Sequence, residues 1–322
     1  MNSNAKIAIM KTRIITFITM LLAAVVYGQQ DAQFTQYMYN TISINPAYAG
    51  SRGVMSIFAL HRTQWVGLDG APTTNAASIN TPISNSNLGL GLSFVNDKIG
   101  PTNENTISAD LSYTIPTSEN FKLSFGMKAT ANLFNLNVNK LNPVDQGDSQ
   151  FQNLRNVFTP NIGAGIYYHS DKAYLGLSVP NFIQTNRYDD NEVVIFKEKM
   201  NYYLIGGYVF DLSNDIKFKP AFLTKLVKGS PLQVDASANF MFVEKVVVGV
   251  AYRWSAAMSA MVGFQVTDGM YIGYGYDLET TNLENYNSGS HEVFLRYEIF
   301  KNNEKIRRIQ DLNATNDKFY LC

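Results

Sequence analysis

The sequence predicts an all-β protein: a transmembrane antiparallel β-barrel of the outer-membrane kind, with about fourteen strands and both termini periplasmic. Three observations carry that expectation. The chain opens like an exported protein, its hydropathy alternates with a period of two from about Gly53 to Ile299, and its connections are short on one side and long on the other.

The export signal comes first in the chain. Lys6, Lys11 and Arg13 precede an apolar run from Ile14 to Val26, which ends at Val26-Tyr27-Gly28 before Gln29. A basic region, a short apolar core and small residues at a cleavage point describe a secretory signal peptide. The run is too short for a membrane anchor. Residues 1–28 are therefore expected to be removed, with Met10 as an alternative start, and no Cys follows the run to take a lipid. Four units result: signal peptide 1–28, an N-terminal segment 29–52, a barrel 53–300 and a periplasmic tail 301–322.

The strands follow in order. Segments 53–65 and 73–81 lead to the turn Ser84-Asn85-Ser86, and segments 87–96 and 105–115 lead to Thr117-Ser118-Glu119. In 120–133, Phe121, Leu123, Phe125, Met127, Ala129, Ala131 and Leu133 alternate with Lys122, Ser124, Gly126, Lys128, Thr130 and Asn132. The long stretch 134–156 separates it from 157–168, and His169-Ser170-Asp171 leads on to 172–179. A second long stretch, 180–198, precedes 199–211, and Ser213-Asn214 precedes 215–227. Segment 231–242 alternates through Leu232, Val234, Ala236, Ala238, Phe240 and Phe242, and Val243-Glu244 connects it to 245–254. Segments 257–267 and 269–278 flank Asp268, and after 279–288 the last segment, 289–299, alternates through Val293, Leu295, Tyr297 and Ile299. Successive side chains of a strand face opposite ways, so each segment has one oily face and one polar or small face.

A soluble β-sandwich would alternate too, but its outer face would be richly charged. Here only 16% of residues are charged, and the second face is mostly Gly, Ser, Asn and Thr, as at Gly89, Gly91 and Ser93 or Gly273 and Gly275. Tyr167, Tyr168, Tyr202, Tyr203, Tyr252, Trp254, Tyr274 and Tyr276 lie near segment ends, where interfacial girdles belong.

Charge is balanced, 26 basic against 26 acidic residues, so nothing favours a nucleic-acid partner. The second face supplies candidate lumen charges: Asp110, Lys122, Lys128, Lys217, Lys219, Lys225, Asp235, Arg253, Glu292, Arg296 and Glu298. They fit either a selective pore or opposite charges knitted across the lumen, and Lys217, Lys219 and Lys225 form a weak anion-selective stripe. The histidines are His61, His169 and His291, with His169 in a short turn and the other two near opposite ends of different strands. No GxSxG, HExxH, CxxC or P-loop pattern occurs, and Asp189, Asp190 and Glu192 read as a solvated loop. No enzyme, cofactor or metal site is expected, and Cys322 cannot form an internal disulfide.

Between signal and barrel stands QQDAQFTQYMYNTISINPAYAGSR. Gln33-Phe34-Thr35-Gln36-Tyr37, Asn40 and Asn45-Pro46-Ala47-Tyr48-Ala49-Gly50-Ser51 resemble the N-terminal signature of the PorP/SprF family, outer-membrane proteins associated with type IX secretion and gliding in Bacteroidota. The likeness continues through Arg62, Gln64, Trp65, Gly67, Gly70, Ala71, Pro72 and Thr73, and through Asn96-Asp97-Lys98-Ile99-Gly100-Pro101. The tail Asp311–Cys322 departs from the ending associated with the family. The resemblance implies a non-enzymatic barrel in outer-membrane lipid that partners the type IX machinery or retains a secreted surface adhesin. Fold analogy alone offers a passive pore or small-molecule transporter.

Physically, Asn45-Pro46 holds Asn45 extended, and Ala49-Gly50 permits a tight turn. Gln36, Tyr37, Asn40, Asn45, Pro46, Tyr48 and Gly50 are expected to plug or brace the periplasmic mouth, or else to bind a partner. Arg62, Gln64 and Trp65 are expected to anchor the rim where the first strand meets an outer loop. The long stretches 134–156 and 180–198 are expected to fold inward and occlude the lumen.

Overall fold

The computed structural model describes residues 37–138, 154–184, 186–188, 194–197 and 199–300. The expected signal peptide, Gln36 with the residues before it, Asp189, Asp190, Glu192 and the tail with Cys322 lie outside the described residues.

The strands are β1 (Met55–Thr63), β2 (Thr73–Pro82), β3 (Leu88–Ile99), β4 (Thr102–Pro116), β5 (Lys122–Leu136), β6 (Leu154–His169) and β7 (Ala173–Val179). Next come β8 (Asn186–Tyr188), β9 (Val194–Lys197), β10 (Asn201–Tyr208), β11 (Phe210–Asp211), β12 (Ile216–Val227) and β13 (Gln233–Phe242). The last four are β14 (Val246–Arg253), β15 (Ala257–Gln265), β16 (Met270–Glu279) and β17 (Ser290–Ile299). β8 and β9 make a separate hairpin, and the other fifteen form one antiparallel sheet. Within it, Gly207 pairs with Ala221 and Phe210 with Phe218 in unbroken register, so β10 and β11 are one strand interrupted at Val209, leaving fourteen staves.

The sheet closes on itself. β1 pairs with β17 from Met55↔Ile299 to Thr63↔His291, and β10 bridges β7 and β12. Every stave then has two neighbours, which satisfies the backbone without an open edge, as a hydrocarbon setting demands. Among the described residues no helix is long and apolar enough to cross a membrane.

Every expected segment is a strand, but two hairpins run further than hydropathy shows. β3 and β4 continue to a turn of Gly100 and Pro101, where the sequence alternation ends at residue 96 and resumes at 105. Residues 96–99 and 102–105 are mostly polar on both faces, so hydropathy falls silent while the pleat and its pairing continue. β5 and β6 likewise extend to Leu136 and back from Leu154, trimming the first long stretch from both sides.

The two faces are inverted relative to a soluble protein. Leu92 and Met127 are 57% and 70% exposed on the outside, while Asp110, Lys128 and Glu292 are buried on the inside. The apolar outside is the face a bilayer requires. Tyr168, Tyr202, Tyr252, Trp254 and Tyr274 stand on this outer face, but Tyr167 and Tyr203 do not. In the pairs Tyr167-Tyr168 and Tyr202-Tyr203 the period of two sends one ring out, so the other must enter the lumen. The connections β2–β3, β4–β5, β6–β7, β11–β12, β13–β14 and β15–β16 lie at one end, with Met55 and Ile299; this is the short-turn end. The opposite, long-loop end carries β1–β2, β16–β17 and the long stretches.

Candidate functional site

The lumen at the short-turn end is occupied by the chain's own N-terminal segment. Tyr37–Tyr39, Thr41–Ser43 and Pro46–Tyr48 are three single 3-10 turns in succession. Asn45 is extended (φ −133°, ψ 108°), as the residue before a proline must be, and its Oδ1 accepts from the Ala47 N–H at 3.0 Å. Gly50 (φ +71°) then turns the chain toward the wall. Tyr37, Asn40, Asn45, Pro46 and Tyr48 are all buried. Tyr39 stacks on Tyr271 with ring centres 5.3 Å apart and also meets Phe294, and Tyr48 meets Tyr167 edge-on. Burial holds the Tyr37 hydroxyl above the usual phenol range, with the nearby Ser237 hydroxyl acting the other way.

A segment without strand pairing must find partners for its backbone elsewhere. The wall supplies them. Ser112 Oγ donates to the Ala49 carbonyl (2.6 Å), Ser178 Oγ to Ile44 (2.8 Å) and Lys128 Nζ to Ile42 (3.2 Å). Ser78 Oγ of the wall also donates to Asn40 Oδ1 at 3.0 Å, and in return Asn45 Nδ2 donates to the Ile166 carbonyl at 3.0 Å. The wall is also cut back to receive the segment. A Cβ on Gly126 would overlap the backbone of Pro46 and Ala47, one on Gly89 the Ala49 carbonyl, and one on Gly165 the Asn45 side chain. Inward glycines on three strands therefore form the seat.

The other candidate charges are placed as follows. Lys128 pairs with Asp110 (2.9 Å), and Asp235 with Arg253 (2.8 Å). Glu298 joins Arg52, at the end of the segment, and lies 3.6 Å from Arg296, whose guanidinium sits over Tyr39 and Tyr271. Lys217 lies 3.8 Å from Glu244; Lys219 and Lys225 sit over the rings of Tyr174 and Tyr203. All three lysines are buried, so they do not line open water as an anion-selective stripe would. Lys122 has inward parity but is exposed at the start of β5 beside the short turn, outside the lumen proper.

The expected rim group divides. Arg62 is not a rim residue: it shares the inward parity of Phe58 and Leu60, is 2% exposed, and binds Asp277 (2.7 Å) and Glu292 (3.1 Å). Trp65, in a left-handed turn (φ +46°), does tie the rim together. Its indole N–H donates to Glu279 and its backbone N–H to Ser290 Oγ. Gln64 contributes its backbone N–H, donated to Pro72 across the loop base. Nearby, the Gly100 N–H donates to the Gly70 carbonyl at 2.8 Å and Thr74 Oγ1 to Asp97 at 2.6 Å. The stretches around 62–73 and 96–101, separate in sequence, are thus one piece of rim.

The histidines differ from expectation too. His169 ends β6 and is buried rather than in a turn. His61 and His291 stand at the same end, because β1 and β17 are antiparallel neighbours. Of the long stretches, Pro180 passes against the inward Gly163 and the Phe182 N–H pairs with the Ile162 carbonyl, while 139–153 lies outside the described residues.

Sequence reasoning missed Asp277, Arg52 and the seat glycines. Asp277 was legible: it follows Tyr271, Gly273 and Gly275 on the inward parity, where a carboxylate needs a cation. Arg52 gave no signal, since it precedes any periodic stretch.

The chain matches the family described as "Type IX secretion system membrane protein PorP/SprF" over residues 26–297. No curated protein matches it. Among solved structures it is similar to the Ralstonia pickettii toluene transporter TbuX (TM-score 0.49, 9% identity, covering 80% of this chain and 92% of that one). It is also similar to the Acinetobacter baumannii outer membrane protein Omp33 (0.45, 8%, 76% and 98%) and to a Pseudomonas aeruginosa FadL homologue (0.42, 13%, 80% and 93%). At these identities nothing those proteins carry passes to this chain.

Proposed function

The chain belongs to the PorP/SprF family of type IX secretion system membrane proteins, and from that premise we propose that it serves secretion as a docking barrel rather than as a conduit. In this reading it is a non-enzymatic integral protein of the outer membrane, exported through a cleaved signal peptide. Both termini lie in the periplasm, and the long-loop end faces out of the cell. There it docks components of the type IX machinery or retains a secreted, gliding-associated adhesin.

The observation that carries the reading is the captive segment. A conduit for protein or solute needs its lumen, and residues 37–52 fill the short-turn half with side chains and backbone bonded to β2, β4, β5, β6, β7 and β17. The rim, by contrast, is braced by Trp65 and the Gly70–Gly100 contact into a fixed outer surface. The test is paired. Purified protein in planar bilayers is expected to show little steady conductance, and deleting the gene is expected to abolish secretion or surface display of its partner. Large ohmic channels together with normal secretion in the deletion strain would reverse the reading in favour of a passive pore.

A further inference from the structure

On the outer face near the long-loop end, a row of polar side chains crosses six consecutive strands. Tyr274 (β16) shares a 2.7 Å hydrogen bond with His291 (β17). His61 (β1) bonds Asn75 (β2) at 2.8 Å and Thr63 at 3.2 Å. Asn96 (β3) donates to both Asn103 (2.7 Å) and Asn105 (2.9 Å) of β4. From β1 to β4 the register makes this one line: His61 is opposite Asn75, Asn75 opposite Asn96, and Asn96 opposite Asn105. On β17 the line passes Val293, and His291 stands one outward position further toward the loops, opposite Thr63. These residues share the parity of Ile57, Leu92, Phe94 and Ile107, so they stand on the face turned toward lipid.

We propose that this row is a binding strip for the uncharged sugar hydroxyls of glycolipid in the outer leaflet, an inference that rests on the long-loop end facing out of the cell. The next line down, Ala59–Ala77–Phe94–Ile107, is apolar and continuous with the bilayer band. Amides facing acyl chains are costly, so the acyl region ends between these two lines and the headgroup layer lies against the upper one. The chemistry narrows the ligand. A phosphate site would gather Arg and Lys. This row has amides, imidazoles and hydroxyls, with Lys98 as the cation beside it on the outward parity of β3. An amide offers a donor and an acceptor side by side, which matches neighbouring sugar hydroxyls. Asn75 Nδ2, Asn96 Oδ1 and the Nδ2 groups of Asn103 and Asn105 make no hydrogen bond among the described residues and are available for it. Nor is the row a by-product of barrel geometry. At the same end of β13, β14 and β15 the outward residues are Val234, Tyr252 and Met258, an apolar and aromatic rim.

The test uses the full chain and the triple variant Asn75→Ala/Asn96→Ala/Asn105→Ala, whose backbone pairing is untouched. Each is purified in detergent and its half-unfolding temperature read by heat-modified gel migration. The probes are rough lipopolysaccharide with its core sugars, lipid A without them, and phosphatidylethanolamine. The wild-type chain is expected to be stabilised by several degrees more in the presence of core sugars than in lipid A alone. The triple variant is expected to lose that difference, and the milder Asn103→Ala to lose part of it. Equal response of the wild type to lipopolysaccharide and lipid A would overturn the proposal, as would a triple variant that keeps the sugar-dependent rise. A triple variant with normal lipid response but lost partner secretion would also overturn it, assigning the strip to a protein. Failure of the docking function itself is seen separately, as normal secretion when the whole gene is deleted.

Discussion

Gly126 and Gly165 face the lumen without a side chain because the Pro46–Ala47 backbone and Asn45 occupy that space. Gly126→Val is therefore expected to displace the segment and cost about 1–3 kcal/mol by overpacking. The readout is a lower temperature of heat-modified migration; an unchanged value would mean the segment does not rest there. Arg62 sets a different kind of limit. Arg62→Met leaves Asp277 and Glu292 buried without their shared cation, a loss of about 3–5 kcal/mol. Chemical denaturation of the variant should show it as the most damaging single change in the lumen; a loss near zero would sink the triad account. At this scale the sequence spoke unevenly. Inward parity marked Lys128, Asp235 and Glu292 as lumen residues, yet it said nothing of which partner each would meet, because partners lie on other strands at registers that hydropathy does not encode.

The strands themselves were almost fully legible, since a two-residue period is the direct imprint of one face in lipid and one in the lumen. What stayed hidden is structure with no such contrast: the polar tips of β3 and β4, and the three 3-10 turns of the segment, whose shape follows from Asn-Pro chemistry but whose place in the lumen does not. Deleting Gln33–Ala47 should leave every strand in place while removing the Tyr39–Tyr271 stack and the bonds to Ser178 and Lys128. The shortened protein is expected to reach the membrane, unfold at lower temperature and, unlike the intact chain, pass steady current in planar bilayers. A truncated protein as heat-stable and as silent as the intact one would show that the segment is neither brace nor plug.

For the molecule as a whole, fourteen fully paired staves predict a β-dominated circular dichroism spectrum and resistance to unfolding in detergent until heated. A helix-rich spectrum would exclude the barrel. The seam between β1 and β17 has a further consequence, which concerns time. Met55 and Ile299 are neighbours in space and the whole barrel apart in sequence, so the ring shuts only when the final strand arrives. Contacts of such separation form late. The segment's seat on β3, β5 and β6 is built from strands near it in sequence, whereas the seam joins the two ends of the barrel. A closed barrel that had lost its guest would have to be reopened, or entered through its mouth, to regain one.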